Sequence, residues 1–135
     1  MKFLEKLAAV IFPTAGSKSR TGSKGEKLAA EFLEKKGFEI LERNFRIKGG
    51  EADIIGSYKG RTVVVEVKTR TTSRFGTPQA AVDKRKFKRL LLAGRVYCRT
   101  RKLPLNLLRI DVVAVELGGG EPSIRHFENV AKPFS

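Results

Sequence analysis

Four valines surround one glutamate in the segment Arg61-Thr-Val-Val-Val-Glu-Val-Lys-Thr, and this segment constrains the fold more than any other. Valine favours β-strands, and a segment that is apolar at successive positions is typical of a strand covered on both faces. The carboxylate of Glu66 is costly to bury in such a strand unless it is paired or bound to a metal. The segment therefore predicts an interior strand that carries a functional acid.

A tight hairpin is predicted directly before this strand. A second strand-like segment, Glu51 to Tyr58, precedes it, and Lys59-Gly60 between the two is a two-residue turn signal. A hairpin closed by this turn pairs Tyr58 with Arg61, and it pairs every other two residues whose numbers sum to 119.

This register places four charged side chains on one face of the hairpin. In this register Asp53 lies opposite Glu66, and Glu51 lies opposite Lys68. All four side chains point to the same face, because side chains alternate between faces along a strand. Opposed residues have Cβ atoms roughly 5 Å apart, so the two acids repel each other. The alternative is a solvated strand face, on which Glu51 and Lys68 form a surface ion pair worth under about 1 kcal/mol.

A divalent cation is the usual remedy for two opposed acids, and ligands that are all oxygen suit Mg²⁺ or Mn²⁺. We predict that Asp53, Glu66 and the backbone carbonyl of Val67 are metal ligands, and that Lys68 orients a water or offsets negative charge. Together these groups would support hydrolysis of a phosphodiester.

A carboxylate on the first helix is expected to complete the site. Glu26 and Glu31 are both candidates, but they lie about 140° apart around a helix and do not share a face. Glu26 is in the first turn, near the end of the hairpin, and we rank it above Glu31. Its alternative role is that of a favourable charge at a helix N-terminus.

Periodicity and cap signals predict the other elements, which alternate between helix and strand. In chain order they are a helix over Lys24–Lys36 with Ser23 as N-cap, a strand over Phe38–Phe45, the hairpin, a helix from Thr77-Pro78 to about Arg101, and strands over Arg109–Glu116 and Ser123–Phe127. A long helix between strands indicates a crossover connection, and hence an α/β fold with a mixed sheet flanked by helices.

The 135 residues suit one domain, and their net charge of +14 attracts polyanions such as nucleic acid. We assign residues 1–21 to an N-terminal extension, a short amphipathic helix and a basic linker over Thr14–Lys24, and residues 22–135 to the domain. No segment is long and apolar enough to predict a membrane span. The single cysteine, Cys98, suits a reducing cytoplasm and a buried structural role.

Cations after the Glu-x-Lys segment are candidates for phosphate contacts. The basic face of the second helix is either solvated or a ridge that contacts nucleic acid. Gln79, close to the start of that helix, is either a further contact or an ordinary first-turn polar residue. The candidates for nucleic-acid binding are Arg70, Arg74, Gln79, Arg85, Lys86 and Arg89.

From about Gly22 onwards the chain resembles the bacterial YraN-like family, which is grouped with restriction-endonuclease-like proteins of the PD-(D/E)xK type. The motifs that carry this resemblance are Gly25-Glu26, Gly37-Phe38, Arg43-Asn44, Gly50-Glu51-Ala52-Asp53, Val65-Glu66-Val67-Lys68-Thr69-Arg70, Phe75-Gly76-Thr77-Pro78, Val82, Lys86 and Asp111-Val112-Val113. The spacing is also similar to that of archaeal Holliday junction resolvases. Family members usually have Gly-Glu-Ile-Asp where this chain has Gly-Glu-Ala-Asp.

The resemblance implies a restriction-endonuclease-like mixed sheet, a Mg²⁺-dependent nuclease site and DNA as partner. Glu26, Asp53, Glu66 and Lys68 match the motif positions. We therefore expect a DNA endonuclease or nuclease-like DNA-processing protein, selective for branched or flapped DNA and acting in repair or recombination. A homodimer is compatible with such a role. Two alternatives remain open at this stage, a non-catalytic nucleic-acid-binding protein of the same fold and an RNA- or ribosome-associated factor.

Overall fold

The computed structural model describes residues 20–71 and 82–130, which form one five-stranded sheet with a helix on each face. In chain order the elements are α1 (Arg20–Lys36), β1 (Glu39–Ile47), β2 (Gly50–Tyr58), β3 (Arg61–Arg70), α2 (Lys84–Arg101), a 3₁₀ turn (Leu105–Leu107), β4 (Arg109–Glu116) and β5 (Ser123–Phe127). The strands lie in the order β1-β2-β3-β4-β5, with β3 and β4 parallel and all other neighbours antiparallel. This is the predicted α/β, restriction-endonuclease-like architecture.

The predicted hairpin is confirmed. Lys59 and Gly60 both have positive φ, 49° and 80°, which is the combination that a type I′ turn requires. The β2–β3 pairing follows the expected register from Tyr58–Arg61 to Ile54–Val65. Turn chemistry alone fixes this part of the sheet.

The valines of β3 contribute to two separate cores, because alternate side chains point to opposite faces. Val64 packs on the face covered by α2, in a cluster with Leu90 and Tyr97. Val63 and Val65 pack on the other face, with residues of α1 such as Leu33. The three valines have no exposed surface, so β3 is the interior strand that its composition predicts.

The predicted start of the first helix is wrong. Helix α1 begins at Arg20, ahead of the predicted domain boundary at Gly22, and Ser23 lies inside the helix instead of capping it. The part of the predicted linker from Arg20 to Lys24 is therefore helical. Helix α2 begins at Lys84, where Asp83 is the N-cap and its Oδ1 accepts the N–H of Lys86 at 2.8 Å. The predicted opening of that helix at Thr77-Pro78 lies outside the described residues.

A buried polar cluster ties β5 and α1 to β4. Asp111 is completely buried and accepts hydrogen bonds from the Arg109 guanidinium at 2.9 Å and from the N–H of Asn129 at 2.9 Å. It also contacts His126 Nε2 at 2.7 Å. Lys36 has no acceptor, so it donates to His126 Nδ1 at 2.7 Å. The histidine is therefore the tautomer that donates from Nε2 to Asp111.

Among the described helices, none combines the length and the apolar composition needed to cross a lipid bilayer. Cys98, the single cysteine of the sequence, is fully buried on α2. Burial raises the pKa of its thiol, although a hydrogen bond with Thr62 opposes the change. These properties agree with the structural role that the sequence predicts for Cys98.

Candidate metal centre

Strand β2 is irregular at Asp53 on both of its sides. Its ladder with β3 ends at Ile54–Val65, one step before the predicted Asp53–Glu66 pair. On the other side, Asn44 of β1 has a left-handed φ of 54° and interrupts the regular pairing opposite Asp53. Asparagine tolerates this conformation better than most residues. The ladder thus keeps the predicted register but stops one pair short of Asp53 and Glu66.

The Asp53 side chain takes the place of the missing backbone partner. In a continued ladder the N–H of Val67 would bond to β2, but it donates instead to Asp53 Oδ2 at 2.8 Å. The N–H and C=O of one strand residue point to the same neighbouring strand. The carbonyl of Val67 is therefore directed to the same gap between β2 and β3 as the Asp53 carboxylate.

Glu66 and Asp53 meet through their side chains even though their backbones are not paired. Only 6% of Glu66 is exposed. Burial raises the pKa of Glu66 to about 8, and the Asp53 charge and a hydrogen bond between the two carboxyl groups act in the same direction. The two acids therefore disfavour each other's charged form, and the Lys86 and Lys68 charges offset this only in part.

Glu51 is not paired with Lys68, as the predicted hairpin register had it. Arg89 donates to Glu51 Oε1 from both Nε, at 3.2 Å, and Nη2, at 3.1 Å. Arg46 and Lys86 lie 3.9 Å from the same carboxylate. Glu51 is thus neutralised by three cations from β1 and α2, whereas Asp53 and Glu66 contact each other through their side chains.

Glu26 lies close to the end of β3. It is 3% exposed, on the stripe of α1 that faces the sheet, whereas Glu31 is exposed on the same helix. The preceding residue, Gly25, packs so tightly on Thr69 that an added Cβ would lie 2.8 Å from Thr69 Cγ2. The lack of a side chain at Gly25 therefore permits the close approach of α1 to β3 beside Glu66 and Lys68.

Two carboxylates and one carbonyl are a donor set that fits Mg²⁺ or Mn²⁺. Within residues 20–71 and 82–130, no group of three or more His, Cys, Asp and Glu side chains could hold a metal ion. Mg²⁺ nevertheless binds many proteins through one or two carboxylates, with waters and substrate phosphates completing its shell. Asp53, Glu66 and the Val67 carbonyl could make such a contribution, and all four ligands, Glu26 included, stay predictions.

The predicted nucleic-acid contacts separate into different environments. Lys86 and Arg89 are engaged with acids, while Arg85 is exposed at a shallow cleft of about 370 Å³ that also contains Glu51 and Asp83. Arg70 is half-buried at the end of β3. Arg74 and Gln79 lie outside the described residues. Four further exposed cations lie on α2 with Arg85, namely Lys84, Lys88, Arg95 and Arg99.

Two features of the structure were missed from the sequence. The first is that Lys86 and Arg89 contact the acids of β2 and β3. Their i, i+3 spacing, which places both on one helix face, was the available signal for this. The second is the cluster around Asp111, where an aspartate in an otherwise apolar strand pointed to a buried partner.

Comparison with known proteins identifies the family. The model of the family described as "Uncharacterised protein family UPF0102" matches residues 25–115, which include all the residues of the candidate centre. The chain belongs to the UPF0102 family. This is the YraN-like group that the sequence motifs resemble.

Several UPF0102 proteins are similar over most of their length. A relative from Caldanaerobacter subterraneus subsp. tengcongensis is 39% identical over 87% of this chain and 97% of its own length. Relatives from Pseudarthrobacter chlorophenolicus and Pelobacter propionicus are 41% and 44% identical, over 86% and 81% of this chain and 89% and 80% of their own lengths. The similarity thus covers more than four-fifths of this chain in each case.

Proposed function

We propose that this UPF0102 protein is a Mg²⁺-dependent DNA endonuclease that acts in the cytoplasm on branched or flapped DNA. The observation that carries the proposal is the contact of half-buried Asp53 with buried Glu66 at the point where β2 and β3 part. Two acids in contact destabilise each other when both are charged, and a divalent cation bound between them relieves this repulsion.

Asp53, Glu66 and the carbonyl of Val67 would hold the cation. When bound, it would supply positive charge that polarises a phosphodiester and makes a water more acidic. Asp53 is held in place because its Oδ2 accepts the Val67 N–H. Lys68, two residues beyond Glu66, would orient the water or offset the negative charge that develops on the phosphate.

The exposed cations of α2 would bind the flanking phosphates. Lys84, Arg85 and Lys88 lie on the helix that also contributes Lys86 to the acid pair. A DNA strand bound to these cations would lie next to Asp53 and Glu66. The negative charge of its phosphates would stay paired with the cations of α2. DNA is favoured over RNA by the resemblance to nucleases of this fold.

A metal-titrated cleavage screen tests the proposal. Junction, flap, nicked and single-stranded DNA are incubated with the wild-type protein and with Asp53→Asn, Glu66→Gln and Lys68→Gln. The concentration of Mg²⁺ or Mn²⁺ is raised from zero to about 10 mM. Glu31→Gln, which changes an exposed acid on α1, is the control. We expect metal-dependent cleavage by wild type and control, and losses of at least about 100-fold in the site variants. Equal activity in all variants would refute the assignment.

One observation favours a second function, that of a non-catalytic nucleic-acid-binding protein. The acidic pair already has a cation of the chain beside it, because Lys86 Nζ lies 3.6 Å from Glu66 Oε1. In that case Asp53→Asn would leave DNA affinity unchanged or raise it by removing negative charge. A screen without cleavage on any substrate, combined with salt-sensitive binding, would support this second function.

A further inference from the structure

Lys86 is placed between two acids that belong to different parts of the candidate centre. Its Nζ lies 3.6 Å from Glu66 Oε1 and 3.9 Å from Glu51 Oε1. The Glu66 side chain is 8% exposed and that of Lys86 is 29% exposed. The ammonium group thus reaches from the surface of α2 to a buried carboxylate.

The two acids differ in how much they depend on Lys86. Glu51 has Arg89 as a closer partner, with two donors at 3.1 and 3.2 Å, and Arg46 as a third cation. Removal of Lys86 would therefore leave Glu51 neutralised. For Glu66, Lys86 is the cation in ion-pair contact on the α2 side.

The position of Lys86 is fixed by the start of α2. Asp83 caps the helix and accepts the Lys86 N–H at 2.8 Å. The backbone of Lys86 is thereby anchored, while its long side chain keeps rotational freedom beyond Cβ. Such a side chain can leave Glu66 without any change in the helix.

We propose that Lys86 is a resident counter-ion of Glu66 that a divalent cation displaces, so that binding of the cation frees the Lys86 ammonium to contact a phosphate. This inference rests on the proposed function and adds a positioning role for a residue outside the Glu-x-Lys motif. The freed ammonium lies beside Arg85 and Arg89 in the same shallow cleft. Occupation of the acid pair by a cation and binding of a DNA strand are then coupled, each strengthening the other.

The coupling predicts opposite effects of one substitution on two ligands. In Lys86→Gln the cation no longer competes with an ammonium, so Mn²⁺ should bind about 3- to 10-fold more tightly, the scale of one ion pair. The same variant should lose the gain in DNA affinity that the cation gives the wild-type protein. Lys86→Arg, which keeps the charge, should behave like the wild type.

The experiment measures Mn²⁺ binding to the protein alone by electron paramagnetic resonance. It then measures binding of a flap DNA with phosphorothioate linkages, with and without Ca²⁺, by fluorescence anisotropy. Lys59→Gln is the control, because Lys59 is an exposed lysine outside α2, in the turn between β2 and β3. Thermal unfolding in EDTA establishes that each variant is folded.

The outcomes separate this inference from the proposed function. If wild-type protein fails to bind Mn²⁺, the metal-dependent function itself is overturned, and this inference with it. If wild type binds Mn²⁺ but Lys86→Gln binds it equally or more weakly, only the displacement of Lys86 is overturned. Tighter Mn²⁺ binding in Lys86→Gln alone, with loss of the cation-induced gain in DNA affinity, supports it.

Discussion

At the scale of single residues, Glu66 has an environment that disfavours its charged form. It is buried in a valine-rich strand, next to Asp53, and its pKa is raised to about 8, first by burial and then by the Asp53 charge. The unfolded chain has no such environment, so its glutamate ionises near the ordinary value of 4.5. Between these values the folded protein binds a proton that the unfolded chain does not.

Stability without divalent cations should therefore fall as pH rises through about 8. A raised pKa in the folded state stabilises the protein fully below the unfolded value, and this contribution is lost above the folded value. Glu66→Gln removes the titration and keeps the shape. We expect this variant to exceed the wild type in free energy of unfolding by about 2–4 kcal/mol at pH 9, and by much less at pH 5.

Urea denaturation in EDTA at pH 5, 7 and 9 measures this difference. The exposed Glu31→Gln serves as control and should follow the wild type at each pH. A Glu66→Gln variant that is equally stable relative to wild type at pH 5 and pH 9 would mean that the pKa of Glu66 is not raised in the folded protein.

At the scale of the elements, contacts between helices and strand ends determine where the functional groups lie. Gly25 of α1 packs against Thr69 of β3, and this places Glu26 beside the end of the Glu-x-Lys strand. At the other end of α1, Lys36 donates to His126 of β5. The helix is thus held at both ends against strands on either side of β4.

Gly25→Ala should destabilise the protein. The new methyl group would overlap Thr69 Oγ1 and lie 2.8 Å from Thr69 Cγ2, so α1 must move away from β3. Overpacking of this kind usually costs about 1–3 kcal/mol. Thr69→Ala in the same chain removes two of the three overlapping atoms and should recover part of the loss. Thermal unfolding of both variants measures this, and equal stability of Gly25→Ala and wild type would contradict the described packing.

The Asp111 cluster should stabilise the joint of β4, β5 and α1 above acidic pH. Burial acts to raise the pKa of Asp111, but hydrogen bonds from His126, Arg109 and Asn129 outweigh it and lower the pKa below 3.8. A lowered pKa gives stability that is present above the unfolded value and is lost as pH falls through the folded value.

Asp111→Asn should therefore cost about 3 kcal/mol at pH 7, because it leaves the Arg109 guanidinium without its buried carboxylate. The difference from wild type should shrink below pH 3. Glu128→Gln is the control, since Glu128 contacts Arg109 and Lys36 from the exposed side of the cluster. A loss for Glu128→Gln as large as that for Asp111→Asn would contradict the dominance of the buried carboxylate.

At the scale of the whole molecule, several acids are buried while many cations are exposed. The net charge is +14, yet the acids Glu26, Glu66 and Asp111 are buried while five cations of α2 are exposed. A polyanion therefore meets a positive surface before it reaches the buried acids.

Binding to duplex DNA should depend steeply on salt, because phosphate contacts release counterions. Lys88→Gln and Arg95→Gln should each reduce the slope of log K against log salt by about 1. Lys59→Gln, in the turn between β2 and β3, should leave the slope unchanged. Fluorescence anisotropy at several KCl concentrations measures these slopes, and equal slopes in all three variants would place the DNA on another surface.

Short-range features of the fold could be predicted from the sequence, whereas the site depended on tertiary contacts. Lys59-Gly60 determined the hairpin register as far as Ile54–Val65, because a type I′ turn fixes its neighbours. The ladder stops short of Asp53, where the left-handed Asn44 on β1 and the carboxylate bond to Val67 both intervene. Neither effect is visible in the hairpin alone.

The helix predicted from Thr77-Pro78 to about Arg101 is not continuous, because Val82 and Asp83 are not helical. Thr77-Pro78 and Asp83 are both good cap signals, and packing of Val82 into the core on the α2 face favours the second as the start of the described helix. The engagement of Lys86 with Glu66 likewise requires α2 to pack on that face of the sheet. Composition had marked Lys86 only as one of many cations.

The central claim is that Asp53 and Glu66 together hold a divalent cation. Anomalous diffraction from crystals of the protein soaked in Mn²⁺ at pH 8 tests it most directly. We predict one dominant anomalous peak within about 2.5 Å of a carboxylate oxygen of each residue, on the side of the Val67 carbonyl. Crystals that show no peak between these carboxylates, or a peak bound only by other residues, would contradict the account.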